Sequence, residues 1–126
     1  MITFKSEVLY TRSNEWAQKI GDVIRVGIDD YSQASLGDVV HVELADEGTR
    51  VSAGHPFGEI EATKSVSDIN APVSGLIVRV NKAVAASPSL VNTDPFGEGW
   101  LAEIAPSDPS ELSALMDINA YKEYIR

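Results

Sequence analysis

Few side chains in this sequence could do chemistry unaided. The only two histidines, His41 and His55, lack the spacing of a metal pair on a helix or in a zinc finger. There is no Gly-x-Ser-x-Gly elbow, no phosphate-binding loop ending in Gly-Lys-Ser/Thr and no Gly-x-Gly-x-x-Gly fingerprint. Cysteine is absent, so disulfides, thiolate metal sites and a cysteine nucleophile are excluded. Sulfur chemistry stays open, because a bound cofactor can bring its own thiols. His41 falls within an alternating strand pattern, which puts it at the surface. The carboxylates are scattered, and solvation is their default. The chain gives little support to an enzyme that works alone.

The lysines remain. Lys5, Lys19, Lys82 and Lys122 read as solvated charge. Lys64 differs by its setting. A strand over Phe57–Ala62 leads in, Thr63-Lys64-Ser65 turns, and Val66–Asn70 leads out. The amine then stands on the tip of a tight hairpin, supported by sheet on both sides. Such an amine is open to a modifying enzyme, and it suits a tether that sweeps between partners at high effective concentration.

The elements that must hold this tip are mostly strands. Val23–Ile28 is rich in β-branched residues. Asp29 or Asp30 can cap a short helix that Gly37 ends. Asp38–Leu44 is a further strand, closed by the turn signal Asp46-Glu47-Gly48. Pro72 and Ser74-Gly75 mark a bend before a strand over Leu76–Val80, and Gly99–Ile104 is expected as the last strand. Near the C-terminus, Asp108-Pro109-Ser110-Glu111 is a helix start. Leu112, Leu115 and Met116 follow at helical spacing, and Asn119 is the expected cap of a last helix carrying Tyr121, Tyr124 and Ile125. A faint echo links Gly37–Val42 to Gly75–Val80, and Phe57–Ile60 to Phe96–Glu98. It leaves two readings: similar β-halves packed face to face, or chance likeness between valine-rich strands.

The 126 residues suit one domain, with a hydrophobic fraction of 44% and a charged fraction of 23%. A net charge of -9 argues against nucleic-acid binding, which needs cations to neutralise phosphates. It favours solubility, and also steering toward basic partner surfaces. No apolar run approaches the length of a membrane span, and no signal or transit pattern opens the chain. A cytoplasmic protein without a membrane role is expected.

Several separated segments carry a family resemblance, in order. Glu61-Ala62-Thr63-Lys64-Ser65-Val66-Ser67-Asp68 and Pro72-Val73-Ser74-Gly75 resemble the lipoylation segment of glycine cleavage H proteins. Tyr10-Thr11-Arg12-Ser13-Asn14-Glu15-Trp16 resembles the family's N-terminal Tyr-Thr-x-x-His-Glu-Trp. Val26-Gly27-Ile28, Leu36–Leu44, Asn92, Pro95 and Gly99-Trp100-Leu101 continue the likeness over nearly the whole chain. Three positions depart from it. Asn14 stands where the family usually shows His, Asp29 where Thr is common, and Thr63 where Val often precedes the lysine.

The resemblance implies a mainly β fold, a barrel-sandwich hybrid of the lipoyl-domain type with short C-terminal helices, forming a single domain over residues 1–126. It implies lipoate covalently attached to Lys64 and no catalysis by the chain alone. The implied shuttle, expected as a monomer, takes an aminomethyl group from a pyridoxal-phosphate glycine decarboxylase to an aminomethyltransferase. It then passes electrons to dihydrolipoyl dehydrogenase. Lipoate-attaching enzymes are further implied partners. Glu61 either is read by such an enzyme or, with Glu59, keeps the tip soluble. An aminomethyl thioether is an N,S-acetal prone to hydrolysis, and its amine is protonated near neutral pH. A water-poor cleft with a carboxylate would stabilise it. The resemblance points to Ser13, Glu15 and Asp68 as its lining; the plainer alternative is that all three cap turns.

Other classes compete. Biotin carriers resemble Met-Lys-Met at the tip, whereas this chain has Thr63-Lys64-Ser65. Lipoyl domains of 2-oxoacid dehydrogenases are shorter and usually tied to further domains. An H-like protein that serves a lipoyl relay, or acts as an unmodified interaction module, keeps the same fold.

Overall fold

The structure is a computed structural model and describes residues 2–125. Among these residues nine strands form two sheets. The larger sheet runs β1 (Leu9–Tyr10), β2 (Glu15–Ile20), β3 (Val23–Ile28), β9 (Ala102–Pro106), β8 (Gly75–Val80) and β5 (Arg50–Val51) in spatial order. The smaller sheet runs β4 (Val39–Leu44), β6 (Pro56–Ala62) and β7 (Val66–Asn70). All pairings are antiparallel, and the two sheets do not close into a barrel.

Strand alternation sets what the sheets bury. In β6, Phe57, Ile60 and Ala62 point inward while Glu59 and Glu61 face solvent. Ile60 and Ile69 of the small sheet pack with Val26, Ile77 and Ile104 of the large one in a shared core. Burying each such side chain contributes roughly 1.5–3 kcal/mol. A second cluster is aromatic and joins the chain's two ends: Val8, Tyr10, Trp16 and Tyr121 are buried together, with Tyr10 and Tyr121 stacked at 4.3 Å. Gly27 makes room for this cluster, since a Cβ there would lie 2.6 Å from Trp16 Nε1. The buried carboxylate of Glu103 is paired rather than orphaned, with Arg25 at 2.8 Å and Arg79 at 3.6 Å.

Helices are short: α1 (Asp30–Leu36), α2 (Lys82–Ala86), α3 (Leu90–Thr93) and α4 (Ile118–Tyr124), with a 3-10 helix over Pro109–Ala114. Asp29 caps α1 through Ser32 N, and Gly37 ends it at φ 82°, a conformation glycine adopts without strain. Among the described residues no helix is long and apolar enough to cross a membrane.

Most expected strands are present, with instructive differences. The last strand begins at Ala102 rather than Gly99. The Asp94–Gly99 turn still holds that stretch: Gly97 and Gly99 N–H donate to Asp94 O, and Asn81 Nδ2 donates to Glu98 O and Trp100 O. The start at Asp108 becomes a 3-10 helix, and Asp117 rather than Asn119 caps the last helix by accepting from Ala120 N at 2.8 Å. Asp117 is the last extended residue before Ile118, so it alone has cap geometry. Gly37–Val42 and Gly75–Val80 both lead into or form strands, β4 in the small sheet and β8 in the large one, but Phe96–Glu98 is turn rather than strand.

Candidate functional site

Lys64 occupies the tip between β6 and β7 and is exposed. The turn is fastened on both sides. Ala62 N donates to Ser65 O at 2.8 Å, closing the hairpin. Thr63 N and Oγ1 both donate to Asp38 O, at 3.1 and 3.3 Å, tying the tip to the residue before β4. A rigid base thus presents a free amine: among the described residues no carboxylate pairs with Lys64.

A cavity of about 520 Å³ lies between the β-core and the C-terminal segment. Tyr10, Ser13, Glu15 and Asn70 line one side; Glu111, Leu115 and Met116 come from the other. Glu15 is 1% exposed. Its Oε1 accepts from Thr11 Oγ1 at 2.5 Å and Ser13 Oγ at 2.6 Å, and its Oε2 from Asn70 N at 3.1 Å. Burial pushes the Glu15 carboxyl above its ordinary value, against the pull of these donors.

The structure brings Ser13 and Glu15 together and leaves Asp68 apart. Asp68 lines a separate groove with Glu43, Pro56 and Glu59. In β7, Ile69 turns into the core, which turns its neighbour Asp68 outward. Glu61, also exposed, stands opposite Val66 in the same hairpin.

Comparisons with known proteins converge on one family. The model for "Glycine cleavage H-protein" matches residues 8–126. The glycine cleavage system H protein of Anaeromyxobacter sp. (strain K) is 49% identical over 119 residues, covering 94% of this chain and 93% of the relative. That of Mycolicibacterium vanbaalenii is 46% identical over 129 residues, covering 99% and 98%. The crystal structure of a glycine cleavage system H protein from Mycobacterium marinum superposes with a TM-score of 0.85 at 39% identity, covering 96% of this chain and 95% of that one.

The chain belongs to the glycine cleavage H-protein family.

Membership makes it a lipoyl carrier of the glycine cleavage system rather than a catalytic enzyme, on a mainly β sandwich of the lipoyl-domain type. Two of its departures from the H-protein pattern meet in space. Tyr121 OH donates to Asp29 Oδ2, and Asn14 Nδ2 donates to Tyr121 OH at 2.6 Å. Asn14 takes a left-handed φ of 73°, which asparagine tolerates better than most residues. Burial raises the Asp29 carboxyl to about 6 despite the Tyr121 hydroxyl and the Ser32 N–H.

Sequence reasoning missed Thr11, Asn70 and Glu111 in the cavity wall. Asn70 acts through its backbone N–H, which no side-chain pattern reveals. Glu111 was visible only as part of a helix start. The outer face of the small sheet is acidic, with Glu43, Glu59 and Asp68 opposite one another on β4, β6 and β7. Like charges so placed oppose sheet stability slightly, so packing does not account for them.

Proposed function

We propose that Lys64 carries lipoate in amide linkage and that this chain, as one domain over residues 1–126, shuttles an aminomethyl group. The exposed, unpaired Lys64 amine on a tip clamped to Asp38 carries this reading. When attached, lipoate supplies a disulfide that accepts the aminomethyl group and a dithiol that is later reoxidised. The chain supplies position. The Thr63–Asp38 bonds keep the base of the arm fixed, so the arm's own length sets its reach. Glu61, three residues before Lys64, is proposed as the side chain read by the lipoate-attaching enzyme. The partners on this reading are glycine decarboxylase, aminomethyltransferase and dihydrolipoyl dehydrogenase, and the shuttle works as a monomer.

The cavity is proposed to shelter the loaded arm. Ser13 and Glu15 form its polar wall, and Leu115 and Met116 limit water. Asp68 is left out of this role, because it lines the other groove.

Intact-mass measurement on protein expressed in cells supplied with lipoate tests the attachment. One lipoyl group mapped by peptide sequencing to Lys64, and its loss in Lys64→Arg, is expected. No adduct, in cells that lipoylate other proteins, would favour an unmodified interaction module instead. A biotin mass would replace the cofactor and keep the fold.

A further inference from the structure

Two carboxylates line the cavity among the described residues, and they come from opposite ends of the chain: Glu15 from β2 and Glu111 from the 3-10 helix. Glu111 is half-buried and clamps Ser74. Its Oε1 accepts from Ser74 N at 2.7 Å and its Oε2 from Ser74 Oγ at 3.0 Å, while Ser74 Oγ accepts from Ala53 N at 3.0 Å. A carboxylate offers about four acceptor positions. Each Glu111 oxygen therefore keeps capacity after the clamp is made. Arg12 also lines the cavity but forms no ion pair with Glu15 or Glu111. A cavity with two carboxylates and no internal ion pair suits a small cation.

Resting on the proposal that this cavity shelters the loaded arm, we propose that Glu111 is a second anionic contact for the protonated aminomethyl cargo. The C-terminal segment then contributes charge to the cavity as well as a wall. The chemistry gives that charge a purpose. Hydrolysis consumes one water and yields thiol, formaldehyde and ammonium from the protonated N,S-acetal. It starts when the nitrogen loses its proton and its lone pair expels the thiolate. The C–S bond breaks with its electrons on sulfur, and water then adds to the iminium carbon. Carboxylates beside the amine hold its proton in place and so slow the first step.

Glu111→Gln separates contact from clamp. Glutamine keeps the shape, can accept from Ser74 N and can donate to Ser74 Oγ, but it has no charge. With lipoylated, aminomethyl-loaded protein, Glu111→Gln should release formaldehyde about tenfold faster than wild type and approach Glu111→Ala. Gln behaving as wild type, with only Ala fast, would show a clamp alone and overturn the proposal. A second readout needs no variant: the Glu111 side-chain carboxyl ¹³C resonance of the wild-type protein should move when the lipoylated arm is loaded. A resonance that stays put overturns the contact. If the wild type loses its cargo as fast as free aminomethyl-dihydrolipoamide, the sheltering cavity itself fails, and Glu111 with it. Protection by the wild type with no effect of Glu111→Gln removes Glu111 alone.

Discussion

Glu15 sits in β2 beside Trp16, and three donors converge on it from Thr11, Ser13 and Asn70. Desolvation nevertheless outweighs them and raises its carboxyl. A carboxylate held in this way gains more from an incoming cation than one already solvated by water. Glu15→Ala should therefore speed hydrolysis of the loaded arm by about tenfold, read as formaldehyde release over time. An unchanged rate would remove Glu15 from the cavity's work. The sign of the pH effect follows from the raised value: protection weakens as pH falls through it and the carboxylate is neutralised. By pattern alone Glu15 reads as one more scattered, solvated carboxylate, and only the resemblance around Tyr10–Trp16 marked it. Asp68 had the same warrant and took the other groove. A motif can mark a position without fixing the side to which its side chain turns.

At the scale of elements, the lysine tip depends on neighbours far away in sequence. Asp38, which receives both Thr63 bonds, lies between α1 and β4. Asn92 of α3 holds that junction: its Oδ1 accepts from Val39 N at 2.9 Å, and its Nδ2 donates to Gly37 O at 2.8 Å and Gln33 Oε1 at 3.0 Å. One side chain thus satisfies groups at the end of α1 and the start of β4. Asn92→Ala should cost about 2 kcal/mol, seen as a lower urea midpoint with an unchanged slope. A midpoint equal to wild type would mean water replaces all three bonds. The strands β3, β4, β6, β7 and β8 were legible because each combines β-branched residues with turn signals. Strand β2 was not: Glu15-Trp16-Ala17-Gln18-Lys19-Ile20 has no clean alternation, because its first three residues are all buried. Helices α2 and α3 were missed for another reason. At five and four residues they are too short to show a helical period.

Across the whole molecule, the C-terminal segment is fastened to the N-terminal one. Met116 and Tyr10 exchange backbone hydrogen bonds, Tyr124 OH donates to Arg12 O, and Tyr121 stacks on Tyr10 while donating to Asp29. The Asp29 carboxyl has a definite pH consequence. Its folded value, about 6, exceeds the ordinary 3.8, so the folded state binds the proton more tightly. Ionised Asp29 is a standing cost above about pH 6, and that cost is relieved as pH falls from 6 toward 3.8. Relative to Asp29→Asn, the wild type should gain of order 2 kcal/mol across that window, measured by urea unfolding at successive pH values. A constant difference, or a loss on acidification, would overturn this. The overall charge of -9 and the acidic outer face around β6 belong to this scale too, since together they set a field that basic partner surfaces feel before contact.

The sequence by itself determined the class of protein, the strands that flank Lys64 and the turn that exposes it. These depend on local pattern: β-branched runs, a helix cap at Asp29, a glycine at Gly37 and a polar three-residue connection. Composition alone removed cysteine chemistry and argued against nucleic-acid binding. Tertiary structure decided which carboxylates share a cavity, how the tip is braced and how Asn14 and Asp29 meet at Tyr121. Those outcomes join residues tens of positions apart, such as Asn70 with Glu15 and Ser74 with Glu111. Antiparallel pairing and the packing of one sheet on another set such distances, and a linear pattern carries no record of them.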